Sequence, residues 1–220
     1  MNRALRFYQA AIGKKVVMGV TGLIGTGFVI GHMAGNLLVF RGPDAINAYS
    51  HFLKSTGELL WIVRLVLIGA VVLHVIAAVQ LTLQNRAARP VGYVERKPQV
   101  TTLASRTMRL GGVILLAFIV LHILHFTTGT IRPSGVFSET DVYGNIVASF
   151  RIWWVALFYV IAMVSLGLHL YHGAWSSVRS LGYAQPSDDP LHRRIALAVA
   201  VIVWLGFTVI PVAVFAGLIG

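Results

Sequence analysis

Six histidines stand inside long apolar runs of this 220-residue sequence: His32, His74, His122, His125, His169 and His172. An imidazole at lipid depth has to be compensated by a partner, and ionisable groups there are rare enough to count as functional candidates. Three chemistries suit such a ring: a hydrogen bond inside the bundle, a proton relay, or ligation of a metal through a neutral nitrogen. A single buried histidine is well explained by the first. At least one on each of four consecutive apolar runs, with none on the fifth, argues for a shared task. His51 and His192 fall in loops or at helix ends, where solvent satisfies the ring. The stretch LHLYHGAW carries His169 and His172 three positions apart, about 60° around a helix, so both can face a bundle interior.

The elements that position these rings follow from composition. The chain is 57% hydrophobic and only 11% charged, with a mean hydropathy of +0.78. A soluble domain carries roughly 25% charged residues, so the class is integral membrane. A span needs about 20 apolar residues of helix. Runs at 16–40, 59–83, 110–128, 152–178 and 194–217 meet that length. Backbone groups in lipid must be satisfied internally, and runs this long do so as helices. The expectation is a single all-α transmembrane domain over residues 1–220, with the first four helices forming the bundle around the histidines. The fifth run lacks histidine and reads as a packing helix, with Pro211 as a place to kink. Basic residues precede the first run as in a signal peptide, but that run is too long for a signal's apolar core and is read as a retained span.

The net charge of +11 raises the question of nucleic acid, and its placement answers it. Thirteen basic residues precede the first span or fill the connections after the second and fourth: Arg3, Arg6, Lys14, Lys15, Arg86, Arg89, Arg96, Lys97, Arg106, Arg109, Arg179, Arg193 and Arg194. The opposite connections hold four, Arg41, Lys54, Arg132 and Arg151, and Arg64 lies within the second span. This asymmetry predicts a cytoplasmic N-terminus and no nucleic-acid role, with anionic lipid or a cytoplasmic subunit as secondary partners of the basic loops. The connection around residues 85–106 reads as a loop outside the lipid, and GTIRPSGVFSETDVYGN reads as a turn-rich outer loop. Ser187 to Pro190 reads as a turn with an N-cap for the last helix. The absence of cysteine excludes disulfides, thiolate-held haem and iron–sulfur ligation by this chain.

Helix direction then sets depth. His32 and His122 fall in the outer halves of their spans, His169 in an inner half, and His74 near the middle, leaning inward. The two helical hairpins thus offer two levels of paired imidazoles, which suits two bis-histidine haems stacked across the bilayer: His32 with His122 outside, His74 with His169 inside. Small residues one turn from a ligand give a macrocycle room: Gly35 follows His32 by three, Gly173 follows His169 by four, and Ala77 and Ala78 follow His74. Gly31 and Gly35 in G-x-x-x-G spacing could equally serve helix packing. His122 has Phe118 and Phe126 instead, rings that could lie against a macrocycle face. Of the close pairs, the deeper members His169 and His122 are the candidate ligands, leaving His172 and His125 for a propionate, a quinone or a backbone carbonyl.

An ordered set of motifs carries a resemblance: VIGHMAGN, RGPDAINAYSHFL, LHVIAA, ASRTMRLGGVILLAFIVLHILHF and LHLYHGAW with its H-x3-G-x-W spacing. Together they span nearly the whole chain, and it resembles the diheme cytochrome b anchor subunit of succinate dehydrogenases and fumarate reductases. The resemblance implies two haem b groups with His32, His74, His122 and His169 as axial ligands, and no required ligand at His125 or His172. It implies partners too, a flavoprotein and an iron–sulfur subunit on the cytoplasmic face of a prokaryotic inner membrane. It implies a quinone as substrate, for which menaquinone is the expectation. Succinate chemistry itself would belong to the partners, since this chain offers no dicarboxylate site. Quinone candidates are His51, Glu58 and His125 on the outer side and Tyr171 and His172 on the inner side. Arg64 needs a partner at lipid depth; Glu58 lies about 9 Å away along the axis and about 120° around it, so a haem propionate is the better expectation. Two rivals remain: a cytochrome b anchor of another quinone-linked dehydrogenase or hydrogenase, and a haem-free small transporter using its histidines as a proton relay.

Overall fold

The computed structural model describes residues 3–88, 103–183 and 189–220. Among them are eight α-helices and no strand. In chain order these are α1 (Arg3–Gln9), α2 (Ala11–Asn36), α3 (Pro43–Ser55), α4 (Glu58–Ala87), α5 (Leu103–His122), α6 (Val142–Phe150), α7 (Trp153–Ser180) and α8 (Asp189–Phe215). A 3₁₀ turn, Leu37–Arg41, extends α2, and a π-helical turn, Ile123–Thr127, extends α5. Five segments are long and apolar enough to cross a membrane: Ala11–Arg41, Glu58–Ala87, Leu103–Thr127, Trp153–Ser180 and Pro190–Phe215. Side chains such as Leu59, Ile62, Leu65 and Ile68 of α4 point outward, as lipid contact requires of apolar surface with no protein partner. The chain is an all-α, multi-pass membrane protein.

These bounds correct the sequence reading in three places. The third span begins at Leu103 rather than near 110, because a helix carrying Arg106 and Arg109 in its first turns continues past the apolar window. The connection before the fourth span is not all turn: Asp141 caps a real helix, α6, by accepting from the Gly144 backbone N–H at 3.0 Å. The stretch 43–55 is also helical, with Pro43 at its first position, so His51 stands in the middle of an exposed helix and not in a loop. The expected loop at 89–102 and the Ser187 cap lie outside the described residues.

The closely packed helix pairs are α2 with α4 and α7, α5 with α7, and α7 with α8. The side-chain core sits to one side. One cluster joins the 3₁₀ turn, α3, α6, α7 and α8 through Val39, Ile46, Phe150, Val155, Tyr159 and Val214. A second joins α2, α7 and α8 through Met33, Leu170, Ala200 and Val203. No fully buried residue of α4 or α5 belongs to either cluster, and those helices bury mostly small residues: Ala70 and Ala77 with Leu81, Ala104 and Gly111 with Leu115. Pro211 lies within α8 without ending it. The end of the bundle covered by α3 and α6 is termed the capped end; the opposite end holds α1, where Tyr8 donates to Gln80 on α4.

Candidate functional site

Two histidine pairs bridge helices that are not themselves closely packed. His32 on α2 faces His122 at the close of α5, with ring centres 5.9 Å apart. His74 on α4 faces His169 on α7, with ring centres 6.1 Å apart. Metal–imidazole bonds are about 2 Å long, and a ring centre lies roughly 1 Å beyond its nitrogen, so two rings trans on one metal sit with centres roughly 6 Å apart. Both observed separations match that span. Along α2, Thr21 at the level of His74 and His32 at the level of His122 are separated by about 16 Å of helix rise.

At the capped end the pair stands in an aromatic collar. Phe28 stacks on His32 at 5.2 Å, and Phe207 of α8 approaches it at 5.8 Å. Phe118 stacks on His122 at 5.5 Å, with Phe126 at 5.8 Å, so both phenylalanines cover the imidazole itself. The Asn36 side chain donates to the His32 carbonyl at 2.8 Å and lies 3.3 and 3.4 Å from its two ring nitrogens, favouring neither. Gly35 does not open a space beside His32: a Cβ there would meet the Tyr49 ring of α3 at 2.4 Å, so this glycine admits a tyrosine. Gly31 and Gly173, by contrast, face open space.

The π-helical turn explains why two histidines three residues apart do different things. Its i→i+5 bond, Thr128 N–H to Ile123 C=O at 3.0 Å, widens the helix and rotates His125 off the face that carries His122. His125 is buried, with Nδ1 3.0 Å from the Tyr159 hydroxyl, Nε2 2.9 Å from the Ser149 hydroxyl, and Phe126 stacked on its ring at 4.1 Å. Both nitrogens are engaged, so the ring offers none to an outer-side ligand. Tyr159 also reaches His122 Nδ1, at 3.5 Å. Just past the turn, Gly129 has a φ of 62°, and the Phe137 ring occupies the volume its Cβ would need; only glycine meets both demands.

Toward the other end the surroundings are sparser. Thr21 Oγ1 donates to the Val17 carbonyl at 2.7 Å, which leaves its oxygen to accept from His74 Nδ1–H at 3.1 Å. That bond sets the tautomer in which His74 Nε2 keeps its lone pair, the arrangement a metal ligand needs. Gly22 allows the close approach, its Cβ position lying 3.4 Å from His74 Cε1. His169 Nδ1 is buried without a hydrogen-bond partner. A cavity of about 120 Å³ adjoins it, lined by Thr107, Met108, Gly111, Ile114, Ser165 and Leu168 of α5 and α7.

The remaining sequence candidates scatter. Glu58 and His51 are exposed at the capped end, on different helices. Arg64 lies over the Trp61 ring at 5.1 Å, one turn back on its own helix. Tyr171 packs against the cluster of Met33, Leu170, Ala200 and Val203. His172 is half-buried and meets Trp175 edge-on at 5.8 Å. Sequence reading passed over Thr21, Ser149 and Tyr159, whose signal was a hydroxyl at a position too apolar to hydrate it.

Among the described residues no three His, Cys, Asp or Glu converge as a metal-ion site. No family model matches the chain, nor does any curated protein or solved structure.

Proposed function

We propose that this chain is the haem-bearing, quinone-reactive membrane anchor of a succinate:quinone oxidoreductase in a prokaryotic inner membrane. His32 and His122 would hold an outer haem b, and His74 and His169 an inner one. One observation carries the reading: two imidazole pairs, 5.9 and 6.1 Å between ring centres, bridge helices that are not themselves closely packed. Support comes also from α4 and α5, which contribute no fully buried residue to either side-chain cluster and bury mostly small residues. The buried His169 Nδ1 has no protein partner, and a polar atom left unsatisfied at this depth calls for a ligand beside it.

When bound, the haems supply one-electron chemistry. The protein's part is orientation, ligand basicity and a low-dielectric setting. Thr21 holds His74 in the ligating tautomer, and the phenylalanine collar keeps water from the outer pair. Electrons would pass between an iron–sulfur subunit, docked with its flavoprotein on the basic cytoplasmic face, and menaquinone in the membrane. The resemblance of the histidine motifs supports this assignment over other quinone-linked complexes.

The test is a reduced-minus-oxidised spectrum of the purified complex together with the identity of its partners. Haem b bands with a covalent-flavin subunit are expected. Haem bands with a nickel or molybdenum subunit would move the chain to another dehydrogenase or hydrogenase. A colourless protein would return it to the transporter class.

A further inference from the structure

The Tyr159 hydroxyl lies between two imidazole nitrogens, His125 Nδ1 at 3.0 Å and His122 Nδ1 at 3.5 Å, and it has one proton to give. We infer that Tyr159, with His125 and Ser149 behind it, is a positioning residue that selects the ligating tautomer of His122. The inference rests on the haem reading above.

The argument is one of donor and acceptor counting. If Tyr159 donates to His125 Nδ1, its oxygen can accept from His122 Nδ1–H, and His122 Nε2 is left with a lone pair toward His32. His125 then carries its proton on Nε2 and donates it to Ser149 Oγ, 2.9 Å away. The reverse order runs from Ser149 O–H to His125 Nε2, from His125 Nδ1–H to Tyr159, and from Tyr159 O–H to His122 Nδ1. That order places the proton on His122 Nε2, where it blocks a metal. Every group is neutral in both orders, so burial alone does not choose between them. Ligation does, because only the first order leaves Nε2 free. His125 is thereby the acceptor that draws the Tyr159 proton away from His122, a task that explains a second buried histidine three residues from a ligand. The 3.5 Å contact is at the outer limit of a hydrogen bond, and it is the one link in the chain with slack.

The same device appears in shorter form at the other pair, where Thr21 accepts from His74 Nδ1–H. An acceptor on the far nitrogen raises the basicity of a ligating imidazole, which favours ferric iron and lowers the potential of the haem it holds.

The experiment uses the full complex and titrates each haem separately by its low-spin electron paramagnetic resonance signal. Tyr159→Phe keeps the ring and removes the hydroxyl. It is expected to raise the potential of the haem on His32 and His122 at full haem content, leaving the other unchanged. Ser149→Ala, which disturbs packing least, is expected to shift the same haem in the same direction by less, and it serves if Tyr159→Phe does not accumulate. Thr21→Val is expected to shift only the His74–His169 haem. An unchanged potential at the His32–His122 haem in both Tyr159→Phe and Ser149→Ala, or an equal shift at both haems, overturns the inference while the haem reading stands. Wild-type protein without haem overturns both.

Discussion

The two histidine pairs have nearly the same ring separation and very different surroundings. At the capped end, His32 and His122 sit among Phe28, Phe118, Phe126 and Phe207, and one ring is tied through Tyr159 to two further buried polar groups. At the other end, His74 has Thr21 and the Met18 backbone as hydrogen-bonding neighbours, and His169 has a cavity and an unpartnered nitrogen. The difference teaches where the protein has fixed its geometry without help. The Phe118, Phe126 and Tyr159 rings around His122 belong to or pack against a side-chain core shared by five elements, so packing holds that collar in place. The other pair lies where α4 and α5 contribute little core.

The largest effect that would sharpen this comparison comes from the third imidazole of the capped end. His125→Ala leaves the Tyr159 and Ser149 hydroxyls without their partner and opens a void beside Phe126. The expected loss is about 3 kcal/mol, from unmade hydrogen bonds at roughly 1–3 kcal/mol each and the lost packing. His172→Ala, at the other end, removes a half-buried ring with one edge contact and is expected to change stability by no more than about 0.5 kcal/mol. Thermal denaturation of both variants in detergent measures the contrast, and equal effects would break it.

A smaller effect is expected at Gly35. Alanine there drives a methyl into the Tyr49 ring, so the helix–helix contact must open, at about 1–3 kcal/mol. The matching substitution Gly173→Ala meets no protein atom and should cost less than Gly35→Ala in the same denaturation series.

The smallest effect concerns Asp141, at the edge of the capped end. Its carboxylate accepts from the Gly144 backbone N–H and from the Asn47 side chain, and these bonds, the backbone one foremost, hold its pKa below the ordinary value. A depressed pKa means stabilisation that is complete above the ordinary carboxylate value of about 4 and is lost as pH falls through the folded-state value. Asp141→Ala is therefore expected to cost about 1 kcal/mol near neutrality. The gap in melting temperature between wild type and variant should close as pH drops below about 4.

What was legible in the sequence followed one rule: long apolar runs and the histidines within them. The five spans and the rings that meet could be read because a hydropathy window and the helix rise are both long-range averages. Features set by local exceptions were not legible. In α6, Asn145 and Ser149 are buried polar residues beside Gly144, a composition that reads as loop until a tertiary contact buries it. The π turn that swings His125 away from His122 has no composition of its own. Gly35 looked like room for a macrocycle, yet its space is filled by Tyr49 from a helix the hydropathy pattern did not announce. Thr21 and Tyr159 were overlooked because each is one polar atom in an apolar run, and their importance depends on which nitrogen they face.

The most direct test replaces the four paired histidines with alanine one at a time and records the low-spin electron paramagnetic resonance signals of the assembled complex. The account predicts that wild type shows two signals, one per pair. His32→Ala and His122→Ala should lose the same signal, and His74→Ala and His169→Ala should both lose the other. A wild type without low-spin haem, or a single replacement that leaves both signals intact, would contradict it.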